Sequence, residues 1–391
     1  MSLRTLTRPG AARLLCALLL LVGGGAWARG GRDREVHLPP TVEPPPPPAP
    51  TVTPLPPPGW NSGVLAGRAL KETPTEVWGR TLPALPKAEL ATNGTQVVVT
   101  TLDGARGFGT DGRELWRQAL HPIGGPVLAA AGAWIAEETG PVRAIDPATG
   151  AVVVTLSTTD APPLAGPPAP EGEALAWVDR NGFVTHTAGW TSPSGLSASA
   201  GPAVDQGAVF IVGDAPAGAG AKLVKTSQEG TAWTADLPAT AVAAPVLDAT
   251  RVYVAFAPIG KLPGGIAAYT RDGVPAWRYQ SAYGPSAPPA AGEGLVFLPD
   301  KDGHLYALDA NDGHVRWEIE GFGPFRGRPT LIEGTLYAGN EDGSLYAIDI
   351  DDGGVIWKVS LGAAPLTGVA PVGALLVTAL TNSRIVALGV P

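Results

Sequence analysis

Cysteine is almost absent: Cys16 is the only one in 391 residues. Disulfide staples and thiolate–metal centres need more than one, so both are excluded. Cys16 also lies inside a leader-like stretch, which removes a cysteine nucleophile from the rest of the chain. Charge is sparse, with 16% Asp, Glu, Lys and Arg, and the balance is acidic at net −8. A chain of that sign repels phosphate backbones and carries no basic patch for anionic lipid, so nucleic acid is excluded as an expected partner. Histidine is scarce: His37, His121, His186, His304 and His314 are scattered, and no His-Glu-x-x-His spacing offers a zinc site. Neither a Gly-x-Ser-x-Gly elbow nor a Gly-x-x-x-x-Gly-Lys loop occurs.

What is abundant is glycine (52), proline (42) and apolar side chains (45%). That profile suits many short strands joined by tight turns, and all-β rings of this length fold as one unit.

Residues 1–28 read as a secretory signal. Arg4, Arg8 and Arg13 precede a nine-residue apolar run at 14–22, too short to span a bilayer comfortably. Ala26-Trp27-Ala28 then offers the small residues a signal peptidase needs before Arg29. No membrane-spanning segment is expected after cleavage. Cys16 precedes most of the apolar run, the wrong order for a lipobox. Residues 29–74 read as a mostly disordered linker. Within it, 39–58 holds twelve prolines in twenty residues, which settle into an extended polyproline helix.

The remainder, 75–391, is periodic. Trp277, Trp317 and Trp357 are 40 residues apart, Trp78 and Trp116 are 38 apart, and the gap from Trp116 to Trp233 is 117, three units of 39. Val154 and Trp190, or a neighbour of Trp190, fill the two missing places. Runs 305–317 and 345–357 show the unit most clearly. An alternating strand ends at Asp309 or Asp349, a turn follows with Gly313 or Gly353, and a second strand carries the tryptophan. Run 142–154 keeps Asp146 and Gly150 without the tryptophan. One full unit reads as four strands at 288–291, 295–299, 304–309 and 314–318, the arithmetic of a propeller blade.

Counting units predicts an all-β, eight-bladed β-propeller, or seven blades if 161–197 is not one. The last unit lacks a fourth strand, and the strand at 75–82 around Trp78 is left over, so the N-terminal strand should close the last blade. Closure removes edges that invite aggregation. Each repeat tryptophan (Trp78, Trp116, Trp233, Trp277, Trp317, Trp357) is expected to wedge between blades, and its truncation to alanine to cost about 3–5 kcal/mol.

The pattern Ala-x-Asp-x-x-(Asp/Thr)-Gly-x-x-x-Trp at 307–317 and 347–357 resembles the docking repeat of quinoprotein (PQQ-type) β-propellers. Ala267, Gly273 and Trp277, and Gly112 and Trp116, keep part of it. The resemblance implies one of two branches. One is the PQQ-dependent dehydrogenases, which press a pair of adjacent cysteines against the cofactor; no such pair exists here. The other comprises BamB-like outer-membrane assembly factors, non-catalytic periplasmic rings. The expectation is therefore a monomeric, non-catalytic, exported protein-binding scaffold without cofactor, periplasmic or cell-surface, whose partner is an envelope or outer-membrane component. The alternatives are a PQQ-dependent oxidoreductase and a carbohydrate- or wall-binding propeller.

Asp-rich turns at 300–303, 309–313 and 349–353 lack the spaced ligands of a calcium loop and read as turns. Candidate binding residues come from the loops joining one blade's outer strand to the next inner strand. Tyr283, Phe322, Phe325, Arg326 and Arg328 are of types enriched at interface hot spots. Lengthened middle loops at 213–221 and 258–265 share their face. The competing reading turns the phenylalanines into the core.

Overall fold

In the repeat region the middle strands of each unit are near-continuous apolar runs, whereas the outer strands alternate. Gln96–Thr101 and Ser344–Asp349 are buried on both faces, while Val355–Ser360 buries chiefly Trp357. A strand buried on both sides needs a sheet above and below it. The computed structural model describes residues 61–391 except 88, 139 and 157–161, and it provides that stacking. The leader at 1–28 and the proline run at 39–58 lie outside the described residues.

Eight antiparallel sheets follow one another along the chain, each running from an inner to an outer strand. Blade six has Ala290–Gly292, Leu295–Pro299, His304–Asp309 and Val315–Glu320, within two residues of the expected bounds. The doubtful region is a genuine blade, blade three: Ala169–Glu171, Ala174–Val178, Phe183–His186 and Trp190–Pro193. The ring therefore has eight blades, not seven. Blade eight takes its outer strand from the start of the repeat region. Thr75–Thr81 pairs antiparallel with Arg384–Gly389, placing Trp78 opposite Ala387. Blades eight and one also meet directly, through Thr92 Oγ1 donating to the Pro371 carbonyl (2.9 Å) and Gly373 N–H to the Gly94 carbonyl (2.7 Å).

The indoles lock neighbouring blades in one recurring geometry. Five outer-strand tryptophans donate their Nε1–H to a carbonyl in the turn before the next blade's outer strand. Trp78 reaches Thr110, Trp116 reaches Pro147, Trp233 reaches Arg271, Trp277 reaches Ala310 and Trp317 reaches Ile350, at 2.7–3.0 Å. The turn glycine of that next blade lies on the indole face. A Cβ on Gly112, Gly150, Gly273, Gly313 or Gly353 would stand within 2.8 Å of indole carbons. The glycine of the repeat is thus required twice, by its turn and by the ring packed on it.

Trp190 does not belong to this series. It pairs with His186 on its own blade and stacks on that imidazole at 5.0 Å. Ser192 instead reaches blade four, through Thr226 (2.8 Å). The junction between blades two and three is filled from the second strands, by Trp134 and Trp177.

Residues 61–74 differ from the expected disordered linker. Val64 pairs parallel to Leu331 on the inner strand Phe325–Ile332, and Ser62 accepts from Ala291 N–H (2.7 Å). The Asn61 side-chain amide donates to the Pro202 and Pro245 carbonyls (3.1 Å each), ahead of the inner strands of blades four and five. The segment therefore crosses the central channel. It then passes Tyr337, whose hydroxyl accepts from Leu70 N–H (2.8 Å), and enters blade eight. The folded part begins at least fourteen residues before the boundary expected at 75.

Candidate functional site

Loops from outer to inner strands and loops between the two middle strands emerge at one end of the ring. Around blades five to seven they are tied to one another by backbone bonds. Lys301 N–H donates to Gly284 (3.0 Å), Gly321 to Gly303 (2.9 Å) and Glu341 to Pro324 (3.0 Å). Beneath them the Ser281 hydroxyl donates to the Asp300 carboxylate and accepts from Gly284 N–H (3.0 Å). Burial pushes the Asp300 carboxyl up, against the Ser281 hydrogen bond that favours its charge. Asn340 Nδ2 closes the next step by donating to Gly323 (2.7 Å). Glycine and proline loops fixed this way hold their side chains without needing a partner.

Of the five expected binding residues, the structure presents three on this surface. Phe322 is 82% exposed and Tyr283 62% exposed. The Lys358 ammonium lies 5.0 Å from the Phe322 ring centre and 4.7 Å from that of Tyr346. Hydrogen bonds to Tyr346 and then to Asp342 hold that ammonium above its ordinary range, so it stays charged beside the exposed ring. Arg326 is partly exposed and paired with Glu341 (2.7 Å).

The other two are corrections. Phe325 is 1% exposed and packs edge-on against Tyr346 at 5.5 Å, so it is core. It opens a strand opposite Asn340, and the pleat turns its ring inward. Arg328 lies within a bulge of that strand, between Arg326 and Thr330, and points into the channel. It donates to the Asn61 carbonyl (2.9 Å) and lies 3.4 Å from the Glu89 carboxylate. Ile259 and Leu262 were not singled out from sequence. They sit at the tip of the lengthened loop 258–265, exposed, and exchange backbone hydrogen bonds (2.9 and 3.1 Å). Pro258 abuts Gly284, so this tip adjoins Tyr283. The Gly260-Lys261 step between Ile259 and Leu262 was the available signal. Ile259, Leu262, Tyr283 and Phe322 make an apolar and aromatic arc across three blades.

The strand-one-to-two turns form the other end of the ring, around a cavity of about 840 Å³ bounded by Val64 and inner-strand side chains such as Leu247 and Leu331. Its lining includes Glu171, Asp205, Asp248 and Glu293 and no Lys, Arg or His. A PQQ-type quinone is a tricarboxylate, and a cavity with carboxylates at its mouth and no cation in its lining does not fit it. Among the described residues no three His, Cys, Asp or Glu side chains cluster as a metal site.

The chain matches the family described as "Outer membrane protein assembly factor BamB" over residues 138–288 and 262–390, more than half its length. A search of the curated proteins found no match. Among solved structures, the crystal structure of BamB from Moraxella catarrhalis is similar at 17% identity, covering 82% of this chain and 98% of that one, with a TM-score of 0.61. The computationally designed Ika8 protein is similar at 12% identity, covering 81% and 99%, with a TM-score of 0.66. At these identities the structural likeness speaks for the fold, and it agrees with the indole-locked blades. Repeat, ring and family match together place this chain in the BamB family of PQQ-type β-propellers.

Proposed function

We propose that this protein is an exported, non-catalytic scaffold that captures an envelope protein and serves outer-membrane protein assembly. The observation that carries the reading is the exposed arc Ile259, Leu262, Tyr283 and Phe322 on loops already fixed by their own hydrogen bonds. Large apolar side chains on a pre-ordered surface cost little ordering on association, and aromatic residues dominate such interfaces. Arg326 and Glu341 give that arc a polar border. Export is supported by the leader pattern at 1–28 and by the family's description. The oxidoreductase alternative is disfavoured by the cavity with carboxylates at its mouth and by the missing cysteine pair.

The test is crosslinking and pull-down from the native envelope with the full chain and with Phe322→Ala, Tyr283→Ala and Arg326→Glu. Outer-membrane assembly components should be recovered by the wild type and lost with the variants. Their absence from the wild-type capture, or capture undiminished by all three changes, overturns the reading.

A further inference from the structure

The cavity at the opposite end from the aromatic arc is unexplained by that reading. Its wall is mainly apolar, and its mouth is acidic on one side only. The turns after the inner strands of blades three to seven carry Glu171, Asp205, Asp248, Glu293 and Glu333, whereas those of blades one, two and eight carry Asn93, Ala130 and Gly373. Most of this charge is already engaged: Glu171 accepts from Gly207 N–H and lies 3.3 Å from His186 Nε2, Asp205 pairs with Arg271 at 3.4 Å, Asp248 accepts from the Tyr253 hydroxyl and from Thr250 and Arg251 N–H, and Glu333 accepts from Ala69 N–H. Glu293 stands exposed on a turn.

The chain itself shows what this channel accepts. Its own 62–65 lies extended along the wall, exchanging backbone hydrogen bonds with Leu331 and Ala291. The inner strands Ala203–Asp205 and Val246–Leu247 pair on one side only among the described strands, leaving edges of the same kind. A volume of about 840 Å³ lies within the range of pockets that enclose a short ligand. We propose that this cavity binds an extended peptide segment, with apolar side chains between lysines or arginines, from a second protein. It adds to the inner edges of blades four and five as residues 62–65 do to blade seven. Apolar side chains enter the cup, and the flanking cations meet the acidic turns at the mouth, Glu293 first.

The experiment is fluorescence polarisation on the full chain with a labelled hexapeptide of Lys-Val-Leu-Val-Lys-Gly sequence. Controls replace its lysines with glutamate or its apolar residues with serine. The basic apolar peptide should bind, more weakly as salt rises, and both controls should fail. Glu293→Lys removes attraction at the mouth and Ala249→Trp obstructs it; both positions are exposed turn residues, so thermal stability should not change. Each should weaken binding about tenfold or more. Phe322→Ala should bind the peptide as the wild type does, so loss of partner capture at the aromatic arc and failure here are read separately. No binding by the wild type, equal binding of the glutamate peptide, or affinity unmoved by both variants overturns the proposal.

Discussion

The Trp357 indole N–H donates to the Leu70 carbonyl at 2.7 Å, across 287 residues of sequence. Every other docking tryptophan finds its acceptor in the turn joining the third and outer strands of the next blade. Blade eight has no such turn, because its third strand is the end of the chain and its outer strand the beginning of the repeat region. Leu70 stands five residues before Thr75, as Ile350 stands five before Val355. The segment entering blade eight thus supplies the carbonyl that the break in the chain removed.

Trp357→Ala should lower unfolding stability by about 3–5 kcal/mol, because a buried indole and its junction are lost together. Trp357→Phe keeps most of the packing and leaves the Leu70 carbonyl unpaired, so a loss of about 1–3 kcal/mol is expected. Tyr337→Phe removes the acceptor for Leu70 N–H and should cost a similar amount. Both side chains grip one residue, Leu70, on its two flanking peptides, so the double variant Trp357→Phe/Tyr337→Phe should lose less than the two single losses added. Denaturant titration of the four proteins measures this, and strict additivity would deny the coupling.

Two glycines with the same φ separate packing from conformation. Gly353 and Gly294 have φ of +75° and +76°. A Cβ on Gly353 would lie 2.8 Å from the Trp317 ring, while one on Gly294 meets nothing within 4 Å. Gly294→Ala should cost about 1 kcal/mol, the strain of the left-handed backbone alone. Gly353→Ala adds an indole displaced from its junction and should cost clearly more, on the order of 2–4 kcal/mol. Equal melting temperatures for the two variants would contradict the stacking role of the repeat glycine.

Phe322 and Phe325 are three residues apart and should behave oppositely. Phe325→Ala empties a site in the core and should cost about 3–5 kcal/mol. Phe322→Ala should leave stability within about 0.5 kcal/mol of the wild type, as exposed changes do, while weakening partner capture. Thermal unfolding beside pull-down yield distinguishes them.

Acid should expose the role of Asp103. Its hydrogen bond from Arg106, then that from Thr101, hold its carboxyl at about 2, below the usual 3.8. A depressed folded-state value means the stabilisation is complete above 3.8 and is lost as pH falls through 2. Asp103→Asn should therefore melt lower than the wild type near neutrality, with the gap closing as pH falls towards 2. A gap constant with pH would show that the ion pair is not its source. Arg106 is almost buried, so losing its partner has a greater effect than at an open surface pair.

The ring was legible because its signals are local. Period-two apolar runs, Asp before a turn glycine and a tryptophan at near-fixed spacing each act within about a dozen residues, and they locate the strands of blade six to within two residues. Blade three was harder, since its tryptophan sits out of register and stacks on His186 instead of docking. Trp134 and Trp177 fill the junction between blades two and three from the second strands, where the spacing of outer-strand tryptophans gives no hint of them.

The binding surface was legible only in part. Residue type marked Tyr283, Phe322 and Arg326, and also Phe325 and Arg328, although a pleat direction and a bulge send the last two elsewhere. Alone, the amino-acid order determined the repeat, its turns and the closing strand, because these depend on neighbours along the chain. Tertiary structure decided that residues 61–70 cross the channel and complete the last junction. Arg328, Tyr337 and Trp357 meet that segment from 267 to 287 positions away, and no local pattern carries a partner so distant.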